Sequence, residues 1–137
     1  MLTVTKSVKF DAAHVLTNHQ GLCKNLHGHT YRVEVSVTQA PGDDADMVID
    51  FKDLKRKCEE VILERYDHAF MYNSESQAES EIAAVVTKYG MRAVAMPYRS
   101  TAENLARHFF GVLREHVAGL SRVRVWETPD SSAEYSE

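Results

Sequence analysis

The chain has 137 residues, 44% of them hydrophobic and 26% charged, with a formal net charge of −4. That is the composition of a single globular domain, spanning 1–137, large enough for its own core, and its negative charge argues against nucleic acid or an anionic membrane surface as the main partner. No apolar run approaches the ~20 residues of a membrane span.

Two cysteines, Cys23 and Cys58, make no disulfide framework. The opening MLTVTKSVKF alternates and lacks the apolar block of a signal peptide. A cytoplasmic protein with reduced thiols is therefore expected.

Residues 2–14 place Val4, Val8, Phe10, Ala12 and His14 on one face, interrupted by Lys6, and predict a first strand. Residues 28–39 alternate most clearly and predict a second. The run from Ala40 to Asp46 carries Pro41, Gly42 and three aspartates, and reads as a turn. Asp50 then suits the N-cap of a helix ending near Arg65, with Phe51, Leu54, Cys58, Val61 and Ile62 at helical spacing. Residues 66–78 read as loop. A shorter helix near 79–89 follows from Ile82, Val85, Val86 and Tyr89, stopped by Gly90. Ser100 and Glu103 fit a capping box for a second long helix, whose stripe is Ala102, Leu105, Ala106, Phe109, Val112, Leu113 and Val117. Strands at 121–128 and 132–136 complete the chain. The order predicts an α+β fold: an antiparallel four-stranded sheet with two long helices on one face. Its two open edges invite oligomerisation.

The histidines carry the chemistry. His27 and His29, two apart, begin the apolar face of the second strand, and His14 ends that of the first. Antiparallel pairing of consecutive strands brings these ends together. Three imidazoles are the ligand set of an open catalytic zinc site. Ordinary buried histidines are the competing explanation, which weakens when three converge. His19 lies in the intervening loop, and His108 and His116 read as helix surface or packing residues. Cys23 is either a fourth ligand, closing a structural site, or a reactive thiol activated by a nearby cation. Cys58 lies on a helix stripe and reads as core. Asp67-His68 is either a polar turn or an oriented imidazole. Glu127 shares a face with Val123 and Val125, where a carboxylate needs a partner. That partner is either an arginine of the chain or a ligand with adjacent N–H donors, such as an amino-pyrimidinone edge.

Together, Phe10-Asp11-Ala12-Ala13-His14, Cys23-x-x-x-His27-Gly28-His29, Val48-Ile49-Asp50-Phe51-x-Asp53-Leu54, Asp67-His68, Thr101-Ala102-Glu103-Asn104 and Glu127 occur in order. In this the chain resembles the 6-pyruvoyl-tetrahydropterin and 6-carboxy-tetrahydropterin synthase family from about residue 4 to the end. The three-residue spacer after Cys23 resembles the bacterial carboxy-forming branch. The resemblance implies a T-fold, or tunnelling fold, assembled as a homohexamer of two trimers. It implies zinc on His14, His27 and His29, with Cys23 as proton acceptor and Asp67 and His68 as relay. It implies Glu127 as pterin anchor and relay member, and Thr101 and Glu103 at the substrate. The implied reaction is a lyase conversion of 7,8-dihydroneopterin triphosphate to 6-carboxy-5,6,7,8-tetrahydropterin, triphosphate and acetaldehyde in queuosine biosynthesis. The alternatives are 6-pyruvoyl-tetrahydropterin formation and a structural zinc module that binds a protein partner. Residues 74–99 form a segment longer than in compact members.

Overall fold

The two alternating segments pair as their patterns demand. In the computed structural model, which describes residues 1–40, 42 and 46–137, β1 (Thr3–His14) and β2 (His27–Thr38) form an antiparallel ladder. It runs from Thr3 opposite Thr38 to His14 opposite His27. Val8, Phe10, Tyr31, Val33, Val35 and Val37 are buried along one side, and a one-residue slip would turn all of them to solvent. The turn expected over 40–46 lies largely outside the described residues.

α1 (Phe51–Cys58) begins at Asp50, whose carboxylate accepts the Lys52 N–H at 2.7 Å. It continues through a π-helical stretch, Glu59–Leu63, into the short α2 (Glu64–Tyr66). Leu54, Cys58, Ile62 and Tyr66 are buried along this continuous rod. Burial pushes the Cys58 thiol up to about 11, so it stays protonated in the core, as its helix stripe predicts.

The next stretch corrects the expected sheet. Where a loop was predicted, Ala69–Asn73 forms β3, parallel to β1 through Ala12 opposite Ala69. α3 (Gln77–Lys88) then leads to β4 (Ala93–Met96), parallel to β3. With β5 (Leu120–Thr128) and β6 (Ser131–Ser136) the sheet has six strands, in the order β4-β3-β1-β2-β5-β6. It is therefore mixed, not a four-stranded antiparallel sheet. AVAM and AFMYN are too short, at four and five residues, to display a period, and the first three residues of AFMYN are all buried.

α4 (Ala102–Leu113) is capped by Thr101, whose hydroxyl accepts the Asn104 N–H at 3.2 Å, and not by Ser100. α1 and α4 cover one face of the sheet, as expected. Phe10 stacks on Tyr31 at 5.2 Å and meets Phe109 edge-on at 5.9 Å, joining strands to helix. α3 lies over the other face, where its Val86 shares a cleft of about 580 Å³ with Phe70, Ala13, Gly28 and Thr30. Glu79 of α3 is buried, its carboxylate accepting the Thr17 hydroxyl at 2.9 Å and the Asn73 N–H at 3.1 Å. This ties the extra segment to the loop that follows His14. Among the described residues no helix is long and apolar enough to cross a membrane.

Candidate functional site

The end of the β1–β2 ladder gathers the three histidines. One ligand-capable nitrogen from each of His14, His27 and His29 lies within 4.8 Å of the others. The tautomers follow from the second nitrogens. His14 Nδ1 donates to the Ser100 carbonyl at 3.0 Å, and His27 Nδ1 to the Asn25 carbonyl at 2.7 Å. Each Nε2 therefore carries a lone pair, and the two face each other at 3.0 Å. Two acceptors gain nothing from such an approach unless a cation lies between them. His29 Nε2 is also buried, without a hydrogen-bond partner among the described residues. The residues thus fit a three-imidazole metal site with backbone carbonyls as outer partners. Gly28 permits this pairing: a Cβ there would stand 3.0 Å from the Ala12 carbonyl oxygen.

Sequence reasoning assigned Ser100 to a helix cap. It is instead fully buried, with its hydroxyl 3.2 Å from His14 Nδ1 in addition to the carbonyl contact. Only the fold brings residues 86 positions apart together in this way, so no local signal could have shown it.

Burial lowers the His14 pKa from 6.5 to about 4; the Ser100 carbonyl opposes this, and His27 and His29 reinforce it. His29 is shifted the same way, chiefly by burial. The unfolded chain therefore takes up these protons first as pH falls. Metal-free protein should keep its full stability above pH 6.5 and lose about 3 kcal/mol through His14 alone by pH 4. Denaturant unfolding of the metal-free chain across this range measures it, and a flat profile would contradict the assignment.

Glu127 Oε1 lies 3.6 Å from His29 Nε2, too far for a hydrogen bond. Among the described residues no lysine or arginine pairs with it, so the intramolecular partner considered from the sequence is absent there. Burial, with the Glu127 charge, pushes the Tyr31 phenol upward, and its buried hydroxyl has no hydrogen-bond partner among the described residues.

Asp67 and His68 form a second group. His68 Nδ1 lies 2.9 Å from Asp67 Oδ1, and its side chain is 77% exposed. Sequence reasoning missed a third member, Asp11, which has a ligand-capable atom within 4.8 Å of both. Cys23 belongs to neither group. It is half-buried in a single 3₁₀ turn, Leu22–Lys24, where its carbonyl accepts the Leu16 N–H at 2.9 Å. Thr101 acts as the α4 cap, and Glu103 is exposed in that helix's first turn. His108 packs between two phenols, its Nε2 2.6 Å from the Tyr66 hydroxyl and its Nδ1 bonded to Tyr98, in keeping with a helix-packing residue.

The chain matches the family model described as 6-pyruvoyl tetrahydropterin synthase over residues 3–137. It is 42% identical over 141 residues to the 6-carboxy-5,6,7,8-tetrahydropterin synthase of Haemophilus influenzae, covering 100% of both chains. It is 34% identical over 158 residues to the protein of that name from Aquifex aeolicus, covering 98% of this chain and 97% of the other. The solved 6-pyruvoyl tetrahydropterin synthase of Caenorhabditis elegans superposes with a TM-score of 0.71 at 24% identity, over 99% of this chain and 95% of that one. The Plasmodium falciparum 6-pyruvoyl tetrahydropterin synthase gives a TM-score of 0.68 at 22% identity, over 98% of each chain. Those two likenesses establish the shared fold.

Proposed function

The chain belongs to the 6-pyruvoyl tetrahydropterin synthase family, and within it we propose that this protein is a zinc-dependent 6-carboxy-5,6,7,8-tetrahydropterin synthase of queuosine biosynthesis. The carrying observation is the convergence of His14 and His27 Nε2 at 3.0 Å beside the orphaned His29 nitrogen, with Glu127 left without a cationic partner. Full-length identity to relatives bearing that enzyme name supports the carboxy-forming branch.

The substrate is 7,8-dihydroneopterin triphosphate. Glu127 accepts two adjacent N–H donors from the pyrimidinone edge and sets the ring's orientation. Thr101 and Glu103 contribute to substrate binding from the start of α4. His14, His27 and His29 would hold the zinc, which would supply Lewis-acid polarisation of a side-chain oxygen. Cys23, as thiolate, takes a proton from the substrate side chain. His68 relays protons through Nε2, because Nδ1 is committed to Asp67 at 2.9 Å. Triphosphate departs, and cleavage of the C–C bond in the remaining side chain, with one water consumed, releases acetaldehyde and leaves the carboxyl group on the ring. The open edges at β4 and β6 are the places for subunits to join into the family's dimer of trimers. The absence of Cys23 from the histidine group speaks against a closed, purely structural site.

Incubating zinc-loaded protein with 7,8-dihydroneopterin triphosphate, with mass-spectrometric identification of products, tests the assignment. The expected products are 6-carboxy-tetrahydropterin and acetaldehyde. A 6-pyruvoyl product without acetaldehyde would move the protein to the pyruvoyl branch.

A further inference from the structure

His68 is held from two strands and the segment that leads into a third, in a way that the mechanism above does not use. Its φ is 59°, in the left-handed region that residues other than glycine rarely adopt. Its N–H donates to the Asp11 carbonyl at 2.6 Å. The Asp67 carboxylate accepts the Asp11 N–H at 3.0 Å as well as bonding His68 Nδ1. The Asp67 carbonyl, part of the peptide unit that leads into His68, accepts from Arg92 Nη1 at 2.8 Å. The Asp11 carboxylate in turn accepts the Thr30 hydroxyl at 2.5 Å.

An imidazole exposed to 77% is not oriented by packing; its direction comes from these bonds. Asp11 lies on β1, Thr30 on β2 and Arg92 immediately before β4. His68, Arg92, Asp11 and Thr30 all line the same cleft as His29. The clamp is therefore complete only when the segment 74–99, which carries no role in the mechanism, has folded against β3, as β4 does.

We infer that Asp11, Thr30 and Arg92 are positioning residues for His68. They hold the Asp67-His68 pair in its left-handed turn and the imidazole in the Nδ1–H tautomer, with Nε2 available to the cleft. Asp11 supplies both main-chain bonds, Thr30 fixes the Asp11 carboxylate beside the pair, and Arg92 pins the Asp67 carbonyl. The inference rests on His68 carrying protons in the proposed reaction.

The test uses zinc-loaded, full-length protein labelled with ¹⁵N-histidine, with His68 assigned from the His68→Asn variant. Wild type should show His68 as one tautomer, protonated at Nδ1. Thr30→Val and Arg92→Gln should show mixed tautomers and a kcat lowered about ten-fold, with KM unchanged, since small displacements of a catalytic group reduce the rate and not the binding. Arg92→Lys should recover most of both properties, because an ammonium still donates to the Asp67 carbonyl. Thermal unfolding and metal content identify any variant that has simply misfolded, and the Arg92 pair decides if Thr30→Val does not fold. An unchanged tautomer and kcat in the folded variants would overturn the clamp. So would a raised KM at constant kcat, which would make Arg92 a contact for the substrate's anionic tail. If His68→Asn keeps full turnover, the relay reading fails, and the tautomer spectra of the other variants judge the clamp by themselves.

Discussion

His27→Ala should lose bound metal and turnover together. His27 is half-buried at the end of β2, so its removal opens little core and the sheet should survive. What it removes is one of three converging nitrogens. Loss of an outer partner of a metal ligand costs roughly 10- to 100-fold in affinity or activity, and loss of a ligand itself should exceed this. Metal content by elemental analysis should fall from about one per chain to a small fraction of that. Ser100→Ala supplies the contrast. Its backbone carbonyl still accepts from His14 Nδ1 at 3.0 Å, and only the hydroxyl at 3.2 Å is lost. That variant should keep its metal, with activity within the outer-partner range. Full metal occupancy in His27→Ala would show that the three imidazoles are not the ligand set.

Cys23→Ala should separate chemistry from metal binding. The Cys23 sulfur is not among the atoms grouped with the three histidines, so the metal should remain at about one per chain. General-base catalysis is worth about 10²- to 10⁴-fold, and kcat should fall by that order. Substrate should still bind, because Glu127 and the histidines are untouched, and a fluorescence titration with the pterin would show it. Loss of metal in Cys23→Ala would make the cysteine a ligand and revive the closed, structural site. Full activity would place the proton acceptor elsewhere, with His68 the next candidate.

Much of this site is legible in the order of the residues alone. β1 and β2 are written in near-regular alternation, and the parity that buries Val8, Phe10, Tyr31 and Val33 also puts His14, His27 and His29 on one side. Asp50 and the helical spacing of Leu54, Cys58 and Ile62 mark α1 and the π-helical stretch that continues it, and the stripe from Leu105 to Leu113 marks α4. Glu127 stands out because a carboxylate beside Val125 on an apolar face needs an explanation.

β3 and β4 are illegible for a physical reason. They are five and four residues long, β3 pairs with a β1 segment distant in the chain, and the first three residues of β3 are all buried, which removes the alternation that would reveal it. Ser100 is misassigned from sequence because Ser-x-x-Glu is a genuine capping signal. Thr101 takes the cap, and the register of α4 turns Ser100 toward His14 instead.

The sequence by itself determined what short-range periodicity can encode: two paired strands, two long helices, a histidine trio on one face and the residue types of a pterin-handling site. Only the tertiary structure decided the environment of those residues. It set the tautomers of His14 and His27 through carbonyl oxygens, left His29 Nε2 without a hydrogen-bond partner among the described residues, and brought Asp11, Thr30 and Arg92 around His68. Each of these depends on contacts between residues distant in sequence or on backbone atoms. A backbone carbonyl or N–H is the same at every position, so where it points is settled only when the chain is folded.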